Sequence, residues 1–181
     1  MSENEIVQRL RAGDLNALKE LWTANSAHVL NLAFRILLDR DKAEDILMDV
    51  FVEIPDAIHS FRGKSRLSTW LYTLTKNACL MKLRKEKIHL KIETTRASEI
   101  EETALGKAER TETALDREAL SYGLSILTPE IRSLLWLKDA EGLDIQTLSE
   151  IFNAPEGTLK ARLSRARTQV RNILEKEIHH A

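Results

Sequence analysis

Apolar side chains recur at steps of three and four residues along most of this chain, and this spacing constrains the fold more than any other feature. Such a period places the apolar side chains on one face of an α-helix, whereas a half-buried strand requires strict alternation. Only six Gly and three Pro interrupt the 181 residues, so the chain has few of the turn residues that many short strands need. The sequence therefore predicts an all-α protein built from amphipathic helices.

Residues that begin and end helices divide the first half of the chain. Asp14 and Asp41 precede periodic apolar segments and are predicted to cap the second and third helices. Pro55 is expected to kink or restart the third helix, because proline removes a backbone donor and crowds the preceding turn. The polar stretch 59–66 predicts an exposed loop, and the helix that follows it ends in a basic run at 82–87.

The second half begins after a segment that is poor in large apolar side chains. Residues 92–116 are rich in Thr, Ser, Ala and Glu and cannot bury enough surface to fold alone, so we interpret them as an acidic flexible linker. Thr128-Pro129-Glu130 then combines a cap, a first-turn proline and a first-turn acid, which indicates a helix start. We expect two small helical domains, at 1–91 and 117–178.

Charges are sorted into blocks along the chain, although the formal net charge is only −1. Acids prevail from 39 to 56, whereas residues 62–91 contain nine Lys or Arg and a single acid, Glu86. The sign then reverses twice more, because 93–118 is acidic and 160–171 contains only basic charges. Blocks of this kind can give one chain separate surfaces for a basic partner and for phosphates.

The C-terminal third has the most specific pattern: a short helix, a tight turn and a longer basic helix. Asp144 is predicted to cap the short helix, and Asn153-Ala154-Pro155 predicts the turn. An apolar stripe then leaves the following residues outside: Thr158, Lys160, Ala161, Arg162, Ser164, Arg165 and Arg167. This is the layout of a helix-turn-helix, whose second helix enters the major groove of DNA. A solvated basic helix in an ordinary bundle is the alternative that charge and periodicity leave open.

The sequence offers no indication of a catalytic, cofactor or metal site. Cys79 is the only cysteine, no Cys or His lies at zinc-finger spacing around it, and we expect it to be a small buried apolar residue. We find no Gly-rich phosphate loop and no nucleophile with a partnered base, so we expect a protein that is not an enzyme. The chain has neither a signal pattern nor an apolar run long enough to span a membrane, so we expect it in the cytoplasm.

Two stretches resemble one family. Residues 127–171, with the string PEGTLKARLSRAR, resemble the promoter-binding fourth domain of extracytoplasmic-function (ECF) sigma factors. The family's second domain is similar to DKAEDILMDVFVEI followed by FRGKSRLSTWLYTLTKNACLMKLRK. Both occur in the family's order and together cover nearly the whole chain. The resemblance implies a transcription initiation factor that binds core RNA polymerase, recognises the minus-ten and minus-thirty-five promoter elements, and helps to open the duplex.

The resemblance also implies roles for residues of the second domain. The helix that docks on the clamp helices of the polymerase largest subunit corresponds to Asp45, Ile46, Leu47, Asp49, Val50 and Phe51. The loop that captures a flipped base of the minus-ten element corresponds to Arg62, Gly63, Lys64 and Ser65, and Asn77 corresponds to a base-contacting position of the family. The basic helix over the promoter backbone corresponds to Lys76, Lys82, Arg84 and Lys85. Phe61 and Trp70 are candidates for stacking on bases, although a core role suits Trp70 better.

In the fourth domain, the resemblance assigns reading of the minus-thirty-five element to Thr158, Lys160, Ala161, Ser164 and Arg165. We interpret Arg162 and Arg167 as phosphate clamps. The implied partners are promoter DNA, the flap region of the polymerase for this domain, and an inhibitory anti-sigma factor. A stand-alone helix-turn-helix regulator is the alternative function, but it leaves the match to the second domain unexplained.

Overall fold

The computed structural model describes residues 2–94 and 123–179, and all regular secondary structure in these ranges is helical, which confirms the predicted all-α class. The N-terminal half contains α1 (Glu3–Arg11), α2 (Leu15–Leu37), α3 (Arg40–Ala57), a 3₁₀ helix (Ile58–Ser60) and α4 (Leu67–Thr94). The C-terminal half contains α5 (Pro129–Asp139), α6 (Ile145–Phe152) and α7 (Glu156–His179).

Side-chain caps begin most helices where the sequence predicts them. Asp14 and Thr128 cap α2 and α5. The predicted cap of α3 is wrong by two residues, because the side chain of Asp39, and not that of Asp41, accepts a hydrogen bond from the Lys42 N–H at 3.1 Å. Asp39 has the extended backbone that a cap requires, whereas Asp41 already lies in the first helical turn.

The predicted restart of α3 at Pro55 is also wrong. The helix continues to Ala57, and the 3₁₀ helix Ile58–Ser60 follows directly. Pro55 lies in the last turn of α3, so the absence of the proline backbone N–H group removes only one of the final hydrogen bonds of the helix. The proline therefore lies close to the helix end and does not divide the helix.

The core of the N-terminal half forms where α2 packs against α3 and α4. Leu32 and Ile36 of α2 and Ile54 of α3 are almost completely buried, and burial of such a side chain stabilises the fold by about 1.5–3 kcal/mol. Cys79 of α4 is fully buried, as predicted, and desolvation raises the pKa of its thiol to about 12. Met81, two residues further along α4, is exposed.

A second apolar core joins the three helices of the C-terminal half. Leu134 of α5, Leu148 of α6 and Leu159 of α7 are each 1% exposed or less. Gly142 has a φ of +70°, which reverses the chain after α5 with no steric cost, and Leu143 then donates a backbone hydrogen bond back to the helix. The turn and this hydrogen bond connect α5 to α6.

The two halves also pack against each other, α2 on α5 and α4 on α6. Lys76 Nζ donates to the carbonyl oxygen of Ile151 at 2.6 Å. Tyr72 Oη donates to the carboxylate of Glu141 at 3.1 Å, and Nδ1 of His28 lies 2.9 Å from the same carboxylate. We call this the closed arrangement of the two halves.

The division into domains stays a prediction. α4 extends to Thr94, past the predicted domain end at residue 91. The rest of the predicted linker, up to residue 116, lies outside the described residues, as do the first residues of the predicted second domain, 117–122.

Candidate nucleic-acid interface

The helix-turn-helix predicted from the sequence is present at α6 and α7. Asp144 caps α6 by accepting a hydrogen bond from the Thr147 N–H at 2.8 Å, and this bond lowers the pKa of the Asp144 carboxyl. Asn153 ends α6 in the left-handed conformation, at a φ of +46°. Ser149 Oγ then donates to the carbonyl oxygen of Ala154 at 2.7 Å, so the turn into α7 is fixed by side chains as well as by backbone.

Helix α7 has one buried face and one polar face. Leu159, Leu163, Ala166 and Val170 are buried against the rest of the C-terminal half, as the spacing predicts. On the opposite side, Arg162 is half-buried and the other predicted DNA-reading residues are exposed, namely Thr158, Lys160, Ala161, Ser164, Arg165 and Arg167. The structure therefore brings this whole predicted set to the outer surface of one helix.

Acids border the cations of α7 and pair with several of them. Arg167 lies 2.5 Å from Asp139, and this hydrogen bond raises the pKa of Arg167. Lys160 pairs with Glu156 at 3.2 Å in the first turn. Exposed pairs of this kind stabilise a protein by about 1 kcal/mol or less, so phosphates can replace the acids at little cost. Arg165 has no ion pair with any residue that the structure describes.

The loop after the 3₁₀ helix divides its predicted residues between surface and core. Arg62, Gly63 and Lys64 are exposed, and Gly63 has a φ of +67°, which favours glycine. Phe61, which was expected on an exposed loop, is only 6% exposed, and its ring centroid lies 5.5 Å from that of Trp70. The expectation of exposure is wrong for Phe61 because its ring completes the apolar core beneath the loop.

Ser65 of the same loop is half-buried. The remaining residues of this half that were predicted to bind the minus-ten element lie on α4. Asn77, Arg84 and Lys85 are exposed. Lys82 donates to Asp45 of α3 at 2.9 Å, and this bond raises the pKa of Lys82.

Lys76 differs from these residues because it faces the other half of the protein. It is 8% exposed, and its Nζ lies 5.0 Å from the ring centroid of Phe152 as well as against the Ile151 carbonyl. Desolvation lowers its pKa. In the closed arrangement, the Lys76 ammonium is therefore shielded from any phosphate.

The structure separates the predicted docking residues of α3 into two groups. Asp45 and Asp49 are exposed, but the apolar members belong to the core, namely Ile46, Leu47, Val50 and Phe51. Two exposed apolar residues beside the acids, Met48 at 55% and Val52 at 74%, were not selected from the sequence. Met48 and Val52 are four residues apart, as Asp45 and Asp49 are. This spacing places all four side chains on the side of α3 that faces away from the core, so the helical period could have identified Met48 and Val52 from the sequence.

Within the described ranges, no group of three or more His, Cys, Asp or Glu residues is placed to hold a metal ion. None of the helices described is both long enough and apolar enough to cross a bilayer.

Comparison with known proteins identifies two matching regions. The family Sigma-70 region 2 matches residues 21–88, and the family Sigma-70, region 4 matches residues 117–170. The chain is 26% identical to the RNA polymerase sigma-H factor of Pseudomonas aeruginosa over 99% of this chain and 97% of that protein. It is 28% identical to the ECF RNA polymerase sigma factor SigM of Mycobacterium tuberculosis over 96% of this chain and 85% of that protein.

Two solved structures share the fold at lower sequence identity. The sigma factor RpoE of Bartonella quintana, crystallised with the anti-sigma factor NepR, has a TM-score of 0.67 at 24% identity and covers 87% of this chain and 96% of its own. CnrH, in complex with the cytosolic domain of CnrY, has a TM-score of 0.69 at 15% identity and covers 96% of this chain and 97% of its own. The region 2 match is the feature that a stand-alone helix-turn-helix regulator would lack.

Replacing Asp144 with Ala should destabilise the helix-turn-helix. The folded-state pKa of Asp144 is lowered, so the cap stabilises the fold above the unfolded-state pKa and is lost as the pH falls through the folded-state value. At pH 7 the melting temperature of Asp144→Ala should be a few degrees below that of the wild type, and the difference should shrink below about pH 4. Thermal unfolding followed by circular dichroism measures both effects.

Glu150→Ala is the matched control, because Glu150 is an exposed acid of the same helix that caps nothing. A difference between Asp144→Ala and wild type that stays constant down to pH 2 would contradict the assigned cap.

Proposed function

Because this chain belongs to the ECF class of RNA polymerase sigma factors, we propose that it carries out promoter recognition through three surfaces formed by the residues described above. The protein is a transcription initiation factor, and its work requires no catalytic residue of its own. The observation that carries the proposal is the polar outer face of α7, which holds basic charges and no acid between residues 160 and 171 and follows directly on a helix-turn-helix turn.

The outer face of α7 reads the minus-thirty-five element in this proposal. A helix of this size fits the major groove, and the exposed Lys160 and Arg165 can donate hydrogen bonds to guanine edges. Thr158 and Ser164 are exposed hydroxyls on the same helix, and Ala161 lies between them with a methyl group for thymine contacts. Arg162 and Arg167 exchange their acidic partners for phosphates.

The minus-ten element is bound by the exposed loop and by α4. Arg62, Gly63, Lys64 and Ser65 offer a flexible backbone, two cations and a hydroxyl to an unstacked base, while Asn77 supplies an amide on the exposed side of α4. Arg84 and Lys85 add charge for the promoter backbone. Phe61 supports this loop from below. Because Lys76 is buried against α6, its contact with DNA requires the two halves to move apart first.

The core polymerase is bound by a mixed acidic and apolar surface on α3. Asp45, Met48, Asp49 and Val52 form this surface, which suits a basic and partly apolar coiled coil such as the clamp helices. The buried Ile46, Leu47, Val50 and Phe51 hold the surface in position from the core side.

Further partners follow from the class and from its relatives. We propose that the helix-turn-helix half contacts the flap region of the polymerase. We also propose that an anti-sigma factor restrains the protein, because the similar sigma factor RpoE of Bartonella quintana is crystallised with the anti-sigma factor NepR. A protein that works with core polymerase acts in the cytoplasm.

Run-off transcription tests the function directly. Core polymerase mixed with the purified chain should start RNA at discrete sites on a genomic library, and core polymerase alone should not. Sequencing of the transcript ends then gives both promoter elements. Transcripts that begin at random sites, or equally without the chain, would refute the proposed function.

Replacing Asp49 with Lys should weaken binding to core polymerase by at least about tenfold, or about 1.4 kcal/mol, because it places a cation opposite a basic partner. Co-purification with tagged core polymerase measures the effect. Glu5→Lys makes the same charge reversal at an exposed acid of α1, outside the proposed polymerase surfaces, and should bind normally. Undiminished binding of the Asp49→Lys variant would remove α3 from the interface.

Replacing Lys160 or Arg165 with Ala should cost roughly 1–3 kcal/mol of discrimination between promoter sequences where the side chain contacts a base. Where it contacts phosphate, the loss should be uniform across sequences and the salt dependence should flatten. Transcription from a panel of minus-thirty-five variants separates the two outcomes. Gln169→Ala, on an exposed position of the same helix, is the control, and an unchanged profile for both cationic variants would reject their assignment.

A further inference from the structure

A cavity of about 470 Å³ lies at the contact between the two halves. Leu135, Val170 and Leu174 form much of its apolar wall. Arg35, which belongs to α2, and Arg132, which belongs to α5, bring positive charge to it. The size falls within the range that small-molecule sites occupy, and an apolar wall with a few polar groups is their usual character.

Arg132 is the unusual residue of this cavity. It is only 5% exposed, and its Nε and Nη1 have no hydrogen-bond partner among the residues that the structure describes. Trp136 lies one helical turn further along α5, and its Nε1 is also buried without a hydrogen-bond partner among the described residues. Buried donors that lack an acceptor are costly, and more so when they are charged. Three nitrogen atoms on one side of α5 therefore lack an acceptor among the described residues.

The charges around the cavity are unbalanced. Asp139 is the one acid of the described lining, and Arg167 already engages it at 2.5 Å and 3.1 Å. The Arg35 guanidinium lies 4.4 Å from the centroid of the Trp136 ring, and it pairs with no carboxylate in the described part of the chain. An anion is thus the complement that the lining lacks.

We propose that this cavity binds a small carboxylate that carries an apolar tail, of the class of medium-chain fatty acids. The carboxylate accepts hydrogen bonds from Arg132, because a planar carboxylate matches the fork of a guanidinium. The tail lies along Leu135, Val170 and Leu174. A bare inorganic anion would leave these apolar walls in contact with water, so the tail distinguishes the ligand class.

Binding at this cavity also bears on the closed arrangement. Arg35 comes from the N-terminal half, whereas the other lining residues named above come from the C-terminal half. A carboxylate held between Arg132 and Arg35 contacts both halves, so it stabilises the arrangement in which they touch. The same arrangement holds Lys76 against Ile151. The ligand therefore opposes promoter recognition, and this second step rests on the proposed function, whereas the binding step does not.

Isothermal titration calorimetry of the full chain tests the binding step. Sodium octanoate is the probe, used below its micelle-forming concentration, with 1-octanol and inorganic phosphate as probes for the tail and the charge alone. Wild type should bind octanoate at one saturable site, and it should bind neither of the other two probes in this way. The Arg132→Met variant should bind octanoate at least tenfold more weakly.

Two controls separate loss of the site from loss of the fold. Arg40→Met removes an exposed arginine on α3, away from the cavity, and should bind octanoate as the wild type does. Arg132→Met removes a buried guanidinium, two of whose nitrogens lack a partner among the described residues, so the melting temperature of this variant should be no lower than that of the wild type. Equal octanoate affinity in wild type and Arg132→Met, equally tight binding of 1-octanol, or no octanoate binding at all would each overturn the proposal.

Run-off transcription tests the second step. Octanoate should lower the transcript yield of the wild type and leave that of Arg132→Met unchanged. Saturable binding with no change in wild-type yield would overturn the effect on recognition. Absence of discrete transcripts before any octanoate is added would instead count against the proposed function, so the two failures are distinguishable.

Discussion

Burial of α2 is the interaction on which the rest of the structure depends. Its apolar residues, such as Leu32 and Ile36, complete the core with α3 and α4, and the same helix packs against α5 of the other half. Every proposed surface is therefore positioned by α2, directly or through one neighbour. The acidic face of α3 is held outward because the opposite face is packed on α2, and the basic loop precedes a helix that α2 also supports.

Helices α3 and α7 each have one face buried in the core and one face exposed to solvent. In α3, residues that were assigned to polymerase docking as a group turn out to serve two purposes, because Ile46 and Val50 build the core and Asp45 and Asp49 remain outside. In α7 the two faces match the prediction more closely. Leu159 and Leu163 are buried, and every polar candidate side chain is exposed or half-buried. The helix proposed to dock on the polymerase and the helix proposed to read DNA are thus built alike, and they differ in the sign of the charge that they present.

Much of the fold could be predicted because residues that are close in sequence determine those parts of the structure. The Asp144 cap, the turn at Asn153 and the inward stripe of α7 depend on contacts within a few residues, and each appears where the pattern places it. Predictions failed where two neighbouring residues could both cap a helix, or where a contact with another part of the structure determined whether a side chain is buried. Asp39 and Asp41 are both possible caps, and only backbone geometry selects Asp39. Phe61 is buried by Trp70, which no spacing rule anticipates.

The candidate site shows the same limit. Exposure of Lys160 and Arg165 follows from helical period, but burial of Lys76 depends on a carbonyl seventy-five positions later in the chain. This contact has a consequence for the response to ionic strength. Dissolved ions screen a buried hydrogen bond little, whereas they compete strongly with exposed lysines for phosphates. Added salt therefore weakens the attraction of the Lys76 ammonium to a competing polyanion more than it weakens the hydrogen bond to Ile151, so higher ionic strength favours the contact between the two halves over such a competitor.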